Sequence, residues 1–116
     1  MTAQAVSGRI VLEPSGDMCE GEECDQMERT LLEHAARGRA VVVDLSRTRL
    51  LSARALGILA RAQRAAIAKG GRIVVCGANR LQRFLLSATH LTDAIAVVDD
   101  VAAAMRLLDR VRPAAA

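Results

Sequence analysis

Ala40-Val41-Val42-Val43-Asp44-Leu45 is a continuous β-branched run with no polar alternation. That is how a strand covered on both faces reads, as strands of parallel sheets are. Working forward, the short link Ser46 to Leu51 leads into Ala53 to Lys69, where Leu56, Leu59, Ala60, Ala66 and Ile67 are expected to share the inward helical face. Gly70-Gly71 ends that helix, and Arg72-Ile73-Val74-Val75-Cys76 repeats the buried-strand pattern. Asn79 suits the cap of a next helix, with Leu81, Phe84, Leu85 and Ala88 on its expected core face. Ala94 to Val98 is the expected last strand, and Asp99 or Asp100 caps a closing helix with Val101, Ala104, Met105 and Leu108 turned inward.

Working backward, Glu22 to Arg37 carries Cys24, Met27, Leu31 and Ala35 at three- and four-residue spacing behind an acidic start, and Gly38 ends it. Arg9 to Glu13 is a short strand expected to turn at Pro14-Ser15-Gly16 into a second segment near Asp17 to Cys19, forming an edge hairpin. Strands alternating with helices imply right-handed crossovers onto one sheet. The fold class expected is α/β: a mostly parallel central β-sheet, an N-terminal edge hairpin and about four helices.

A chain of 116 residues, 52% hydrophobic and 25% charged, makes one domain, 1–116, with a core over 8–111 and ends at 1–7 and 112–116 expected to fray. No apolar run approaches the ~20 residues that cross a bilayer, and the first eight residues lack a secretory pattern, so a cytoplasmic location without membrane insertion is expected. Net charge is +3, unevenly spread. Met1 to Asp44 carries −5 and Leu45 to Ala116 carries +8, which favours oriented docking over diffuse attraction. With Phe84 the single aromatic and no recognition motif, nucleic-acid binding is not expected.

Catalytic chemistry finds little support. Ser52, His34 or His90, and Asp44 could be written as a triad, yet no Gly-x-Ser-x-Gly turn accompanies them. Gly70-Gly71 follows a helix, so it is a cap and no phosphate loop. His34 lies in the last turn of the first helix, where a cation suits the dipole. Cys19 and Cys24 have no matching ligand pair for zinc. Core packing accounts for Cys24 and Cys76, while a redox role for Cys19, Cys24 or Cys76 stays open as an alternative. Without a convergent acid, base and nucleophile, no enzyme, metal or cofactor is expected; the chain reads as a binding module. Its most informative face lies on the helix after Ser52, where Arg54, Gly57, Arg61 and Arg64 fall opposite the apolar side, with Ile58 at the border. An aliphatic beside arginines matches the composition of interface hot spots.

The ordered set of Val41 to Ser46, Leu51 to Gly57 and Ala68 to Gly77 resembles STAS domains, the family of bacterial anti-sigma factor antagonists. Ser7-Gly8-Arg9 to Gly16-Asp17 is similar to that family's opening hairpin, and Thr89-His90-Leu91 to its Thr-Gly-Leu. The resemblance implies a phosphorylatable serine at the second place of an Asp-Ser-Ser-Gly-like motif. Here that place is Ala53, with Ser52, Arg54 and Ala55 around it. The implied partner is a kinase-type anti-sigma factor or related regulator, met by Ser52, Ala53, Arg54, Gly57, Ile58, Arg61 and Arg64. Phosphate control at position 53 is absent by implication, with Ser52, and after it Ser46 or Thr48, as shifted acceptors. Alternatives are an accessory subunit of an ABC transporter, seated on its ATPase, and a cysteine-controlled antagonist. A homodimer is a further option.

Overall fold

The computed structural model describes residues 1–18 and 21–110. In chain order the elements are β1 (Thr2–Val6), β2 (Arg9–Glu13), β3 (Gly16–Met18), α1 (Glu22–Ala36), β4 (Ala40–Asp44), β5 (Thr48–Leu51), α2 (Ala53–Ala68), β6 (Arg72–Cys76), α3 (Arg80–Ala88), a 3-10 turn (Leu91–Asp93), β7 (Ala96–Val98) and α4 (Val101–Arg110). The main sheet runs β1-β2-β4-β6-β7; only the β1–β2 pair is antiparallel. The α/β architecture and its four helices follow the alternation read from the sequence.

Period-two alternation divides the core. Leu12, Val41, Val43, Ile73 and Val75 point into a cluster with α1, α2 and Leu86 of α3, while Val11, Val42, Val74 and Cys76 point to Ala104 and Leu108 of α4. Burial on both faces is why β4 and β6 are written in unbroken aliphatics.

Three local expectations are corrected. The hairpin lies one strand earlier, between β1 and β2, where Ser7 (φ 51°) and Gly8 (φ 78°) form the two-residue turn that suits twisted strands. Residues 2–6 are therefore paired strand where fraying was expected. β3 runs parallel to β5, a strand inside the segment read as a link, and this small sheet is pinned by Thr48 Oγ1 donating to the Pro14 carbonyl at 2.8 Å.

The inward face of α2 holds at Leu56, Leu59 and Ala66 but not at Ile67, and in α3 the expected core face is largely turned outward, with Leu85 still packed against the core. In α2, Ile67 is 58% exposed, whereas Ile58 and Gln63 are buried. In α3, Leu81 and Phe84 are 52% and 65% exposed, and the inward positions are Gln82 and Leu86. No helix of the described residues is long and apolar enough to cross a membrane.

Candidate functional site

β5 delivers the chain directly to the start of α2. Ser52 holds the extended backbone of an N-cap, and its Oγ accepts from the Ala55 backbone N at 3.1 Å. Ala53 is the first helical residue and is exposed, with only a methyl to offer there. One face of α2 continues outward through Gly57 and Arg64.

Arg54 and Arg61 form the edge of that face nearest α1 and are already engaged. Arg54 Nη2 donates to Asp25 Oδ1 and, at 3.4 Å, to Glu28 Oε1. Arg61 Nη2 donates to Glu28 Oε2. The hydrogen bond to Asp25 raises the Arg54 pKa further. Acidic α1 and basic α2 thus neutralise each other locally, and the sequence-level charge asymmetry is partly cancelled at their junction. Ile58 is fully buried, so the expectation of an aliphatic at the arginine border is corrected: the α1–α2 contact covers the side of α2 on which Ile58 lies.

The structure therefore sets Ser52 and Ala53 at the start of α2, with Gly57 and then Arg64 further along the same helix face, ties Arg54 and Arg61 to α1, and places Ile58 in the core. Upstream of this start, Asp44 Oδ1 accepts from the Ser46 backbone N at 3.0 Å, making a tight turn at the end of β4. Gly77 closes against it: a Cβ at Gly77 would lie 2.5 Å from Asp44 Oδ1.

Two glutamines that sequence reasoning left without a role position this region. Gln63 Oε1 accepts from the Ile73 N–H of β6 at 2.7 Å, and Gln63 Nε2 donates to the Ala94 carbonyl at 2.7 Å. β7 begins only at Ala96, so the Gln63 amide fills the place of an absent strand residue beside β6. Gln82 completes a capping box with Asn79 and donates to the Thr48 carbonyl of β5 at 2.7 Å. A polar residue within an otherwise inward stripe was the only available signal for Gln63.

The cysteines offer no reactive pair among the described residues. Cys24 and Cys76 are fully buried in separate clusters on opposite faces of the sheet. Burial, aided by Asp44 and Asp100, pushes the Cys76 thiol up to about 12. These two positions do not suit the redox alternative; Cys19 lies outside the described residues. His34 is also corrected: partial burial, then Arg39, lowers its pKa, and its Nδ1 faces Arg39 Nη1 at 3.0 Å, so its neutral form is favoured over a dipole-capping cation. No cluster of three His, Cys, Asp or Glu that could hold a metal occurs among the described residues.

A family model described as Mlab, STAS domain matches residues 1–109. Among solved structures, a candidate anti-sigma factor antagonist from Thermotoga maritima superposes with a TM-score of 0.82 at 17% identity, over 94% of each chain. The anti-sigma factor antagonist SpoIIAA in its unphosphorylated form has a TM-score of 0.75 at 12% identity, covering 95% of this chain and 98% of its own. Its phosphorylated form, a Bacillus cell fate determinant, gives 0.71 at 14% identity, over 91% of this chain and 97% of that one. At these identities the likeness is one of fold. No curated protein matches the chain in sequence.

Proposed function

This chain belongs to the STAS domain family, and on that premise we propose that it is a non-catalytic, protein-binding regulator of the anti-sigma factor antagonist type, acting in the bacterial cytoplasm. Its partner is a kinase-type anti-sigma factor or a related regulatory protein. The docking surface is the outer face of α2, from half-buried Ser52 and exposed Ala53 at its start through Gly57 to Arg64, with Arg54 and Arg61 at the edge.

One observation carries the reading: the exposed first residue of α2, where the resemblance puts the phosphoacceptor, is an alanine. A phosphate there would add ~1.5 to 2 negative charges to a docking face. With no side-chain oxygen at Ala53, complex formation is set by shape and fixed charge and is not switched at that position. Ser52 is a poor substitute because its hydroxyl already caps the helix.

Purified protein, incubated with kinase-type anti-sigma factors, should form a complex that ATP does not dissolve, and its intact mass should not change. Phosphate on Ser46, Thr48 or Ser52 would refute the loss of control, and failure to bind any such factor would refute the partner class.

A second reading, an accessory subunit seated on the ATPase of an ABC transporter, is favoured by the same alanine at position 53, since a docking face without a phosphoacceptor suits a permanent interface. Copurification separates the two, since a transporter subunit brings down an ATPase and a permease.

A further inference from the structure

We propose that the outward face of α3 is a second docking surface, built to seat in an apolar groove ringed by carboxylates on a partner protein. α3 packs Leu85 and Leu86 inward but leaves its other two large apolar residues outside. It buries Gln82 beside Leu86 and turns Leu81 and Phe84 to solvent, with Ala88 one turn on. Spacing of i, i+3 and i+7 makes these one stripe, and Phe84 is the only aromatic in the chain. Leu50 of β5, 39% exposed, belongs to the strand on which α3 is seated through Gln82.

The stripe is held in place before any partner arrives. The Asn79–Gln82 capping box fixes the start of α3, and Gln82 Nε2 ties it to the Thr48 carbonyl, so presenting Leu81 and Phe84 costs little ordering entropy. Helix-in-groove recognition uses anchors at this spacing.

Charge selects the occupant. Leu45 to Thr92 contains nine Arg or Lys and no Asp or Glu. Asp25 and Glu28 of α1 pair with Arg54 and Arg61, and Glu13 with Arg47; beside α3 itself, Asp99 pairs with Arg83 at 3.1 Å and Asp93 of the 3-10 turn faces His90 Nδ1 at 3.5 Å. Arg80, next to Leu81, is exposed and has no ion pair among the described residues, and α3 itself has no acidic residue. A complementary groove therefore carries acidic residues around an apolar floor. A second copy of this chain is disfavoured, because it would bring two Arg80 side chains together with no acidic residue of α3 to offset them. A membrane is disfavoured because two apolar anchors on a nine-residue helix offer little area for insertion.

The experiment is photo-crosslinking in the native host, with p-benzoylphenylalanine placed singly at Phe84, at Ala53 of α2, and at exposed Ala102 of α4 as the control on the other layer. From position 84 we expect a protein adduct whose mapped peptide has apolar residues flanked by Asp or Glu, absent at position 102. Adding Arg80→Glu or Leu81→Ser should cut its yield at least fivefold, with the thermal midpoint unchanged. An adduct at position 53 with none at 84 overturns the α3 surface and leaves the α2 reading standing. An adduct at 84 with none at 53 supports this surface and removes that reading. An adduct to a second copy, a mapped peptide lacking acidic residues, or cosedimentation with phosphatidylglycerol vesicles that Phe84→Ser abolishes would each overturn the proposal.

Discussion

At the residue scale, small numbers of polar atoms decide more than their abundance suggests. Gln63 satisfies the buried Ile73 N–H of β6 and also donates to the part-buried Ala94 carbonyl just before β7, so Gln63→Ala leaves the Ile73 donor unpaired and should cost about 1–3 kcal/mol in urea unfolding. Cys24 and Cys76 are buried, and with the Cys76 thiol near 12 the native protein should react with a thiol reagent at no more than one site, Cys19. All three should react in denaturant. At His34 the folded pKa lies below its ordinary 6.5, so the unfolded chain binds the proton first as pH falls. Its contribution is complete above the unfolded pKa and is lost on acidification through the folded one, and His34→Gln should flatten stability measured between pH ~7 and ~5.5.

At the element scale, helix ends and helix faces behave differently. α1 and α2 finish in the same way: Arg39 N bonds the His34 carbonyl and Gly71 N bonds the Ala66 carbonyl, each just past a glycine in the left-handed region, Gly38 and Gly70. The two turns also touch, since a Cβ on Gly71 would sit 2.6 Å from the Gly38 carbonyl oxygen. Backbone cannot yield there, so Gly71→Ala should destabilise by about 1–3 kcal/mol in thermal or urea unfolding. Gly57, by contrast, lies mid-helix with Arg61 Nη1 the nearest atom at 3.9 Å, and Gly57→Ala should stabilise by about 0.5–1 kcal/mol. These glycine stops were legible in the chain. Face direction was not: of Leu81, Phe84, Leu85 and Ala88, expected together on the core face, Leu85 packs against the core while the other three are exposed, because periodicity carries no sign for which side meets the sheet. Gln82 decided that through its bond to β5.

At the scale of the whole molecule, β1 closes one edge of a five-stranded sheet and shields β2. Deleting residues 1–7 should lower the melting temperature and increase aggregation by opening the β2 edge; an unchanged melt would restore the expectation of a frayed end. What the sequence by itself determined is the α/β order, the doubly covered β4 and β6, the helix stops and the alanine at the start of α2. All of these depend on local conformation and on contiguous side-chain pattern. Only the tertiary structure decided that Arg54 and Arg61 are neutralised by α1, that Ile58 is interior, and that Leu81 and Phe84 of α3 face outward. Those outcomes rest on contacts between segments 26 to 34 residues apart, Arg54 with Glu28, Arg61 with Glu28 and Gln82 with Thr48. Packing resolves such contacts, and a residue's neighbours along the chain carry no record of them.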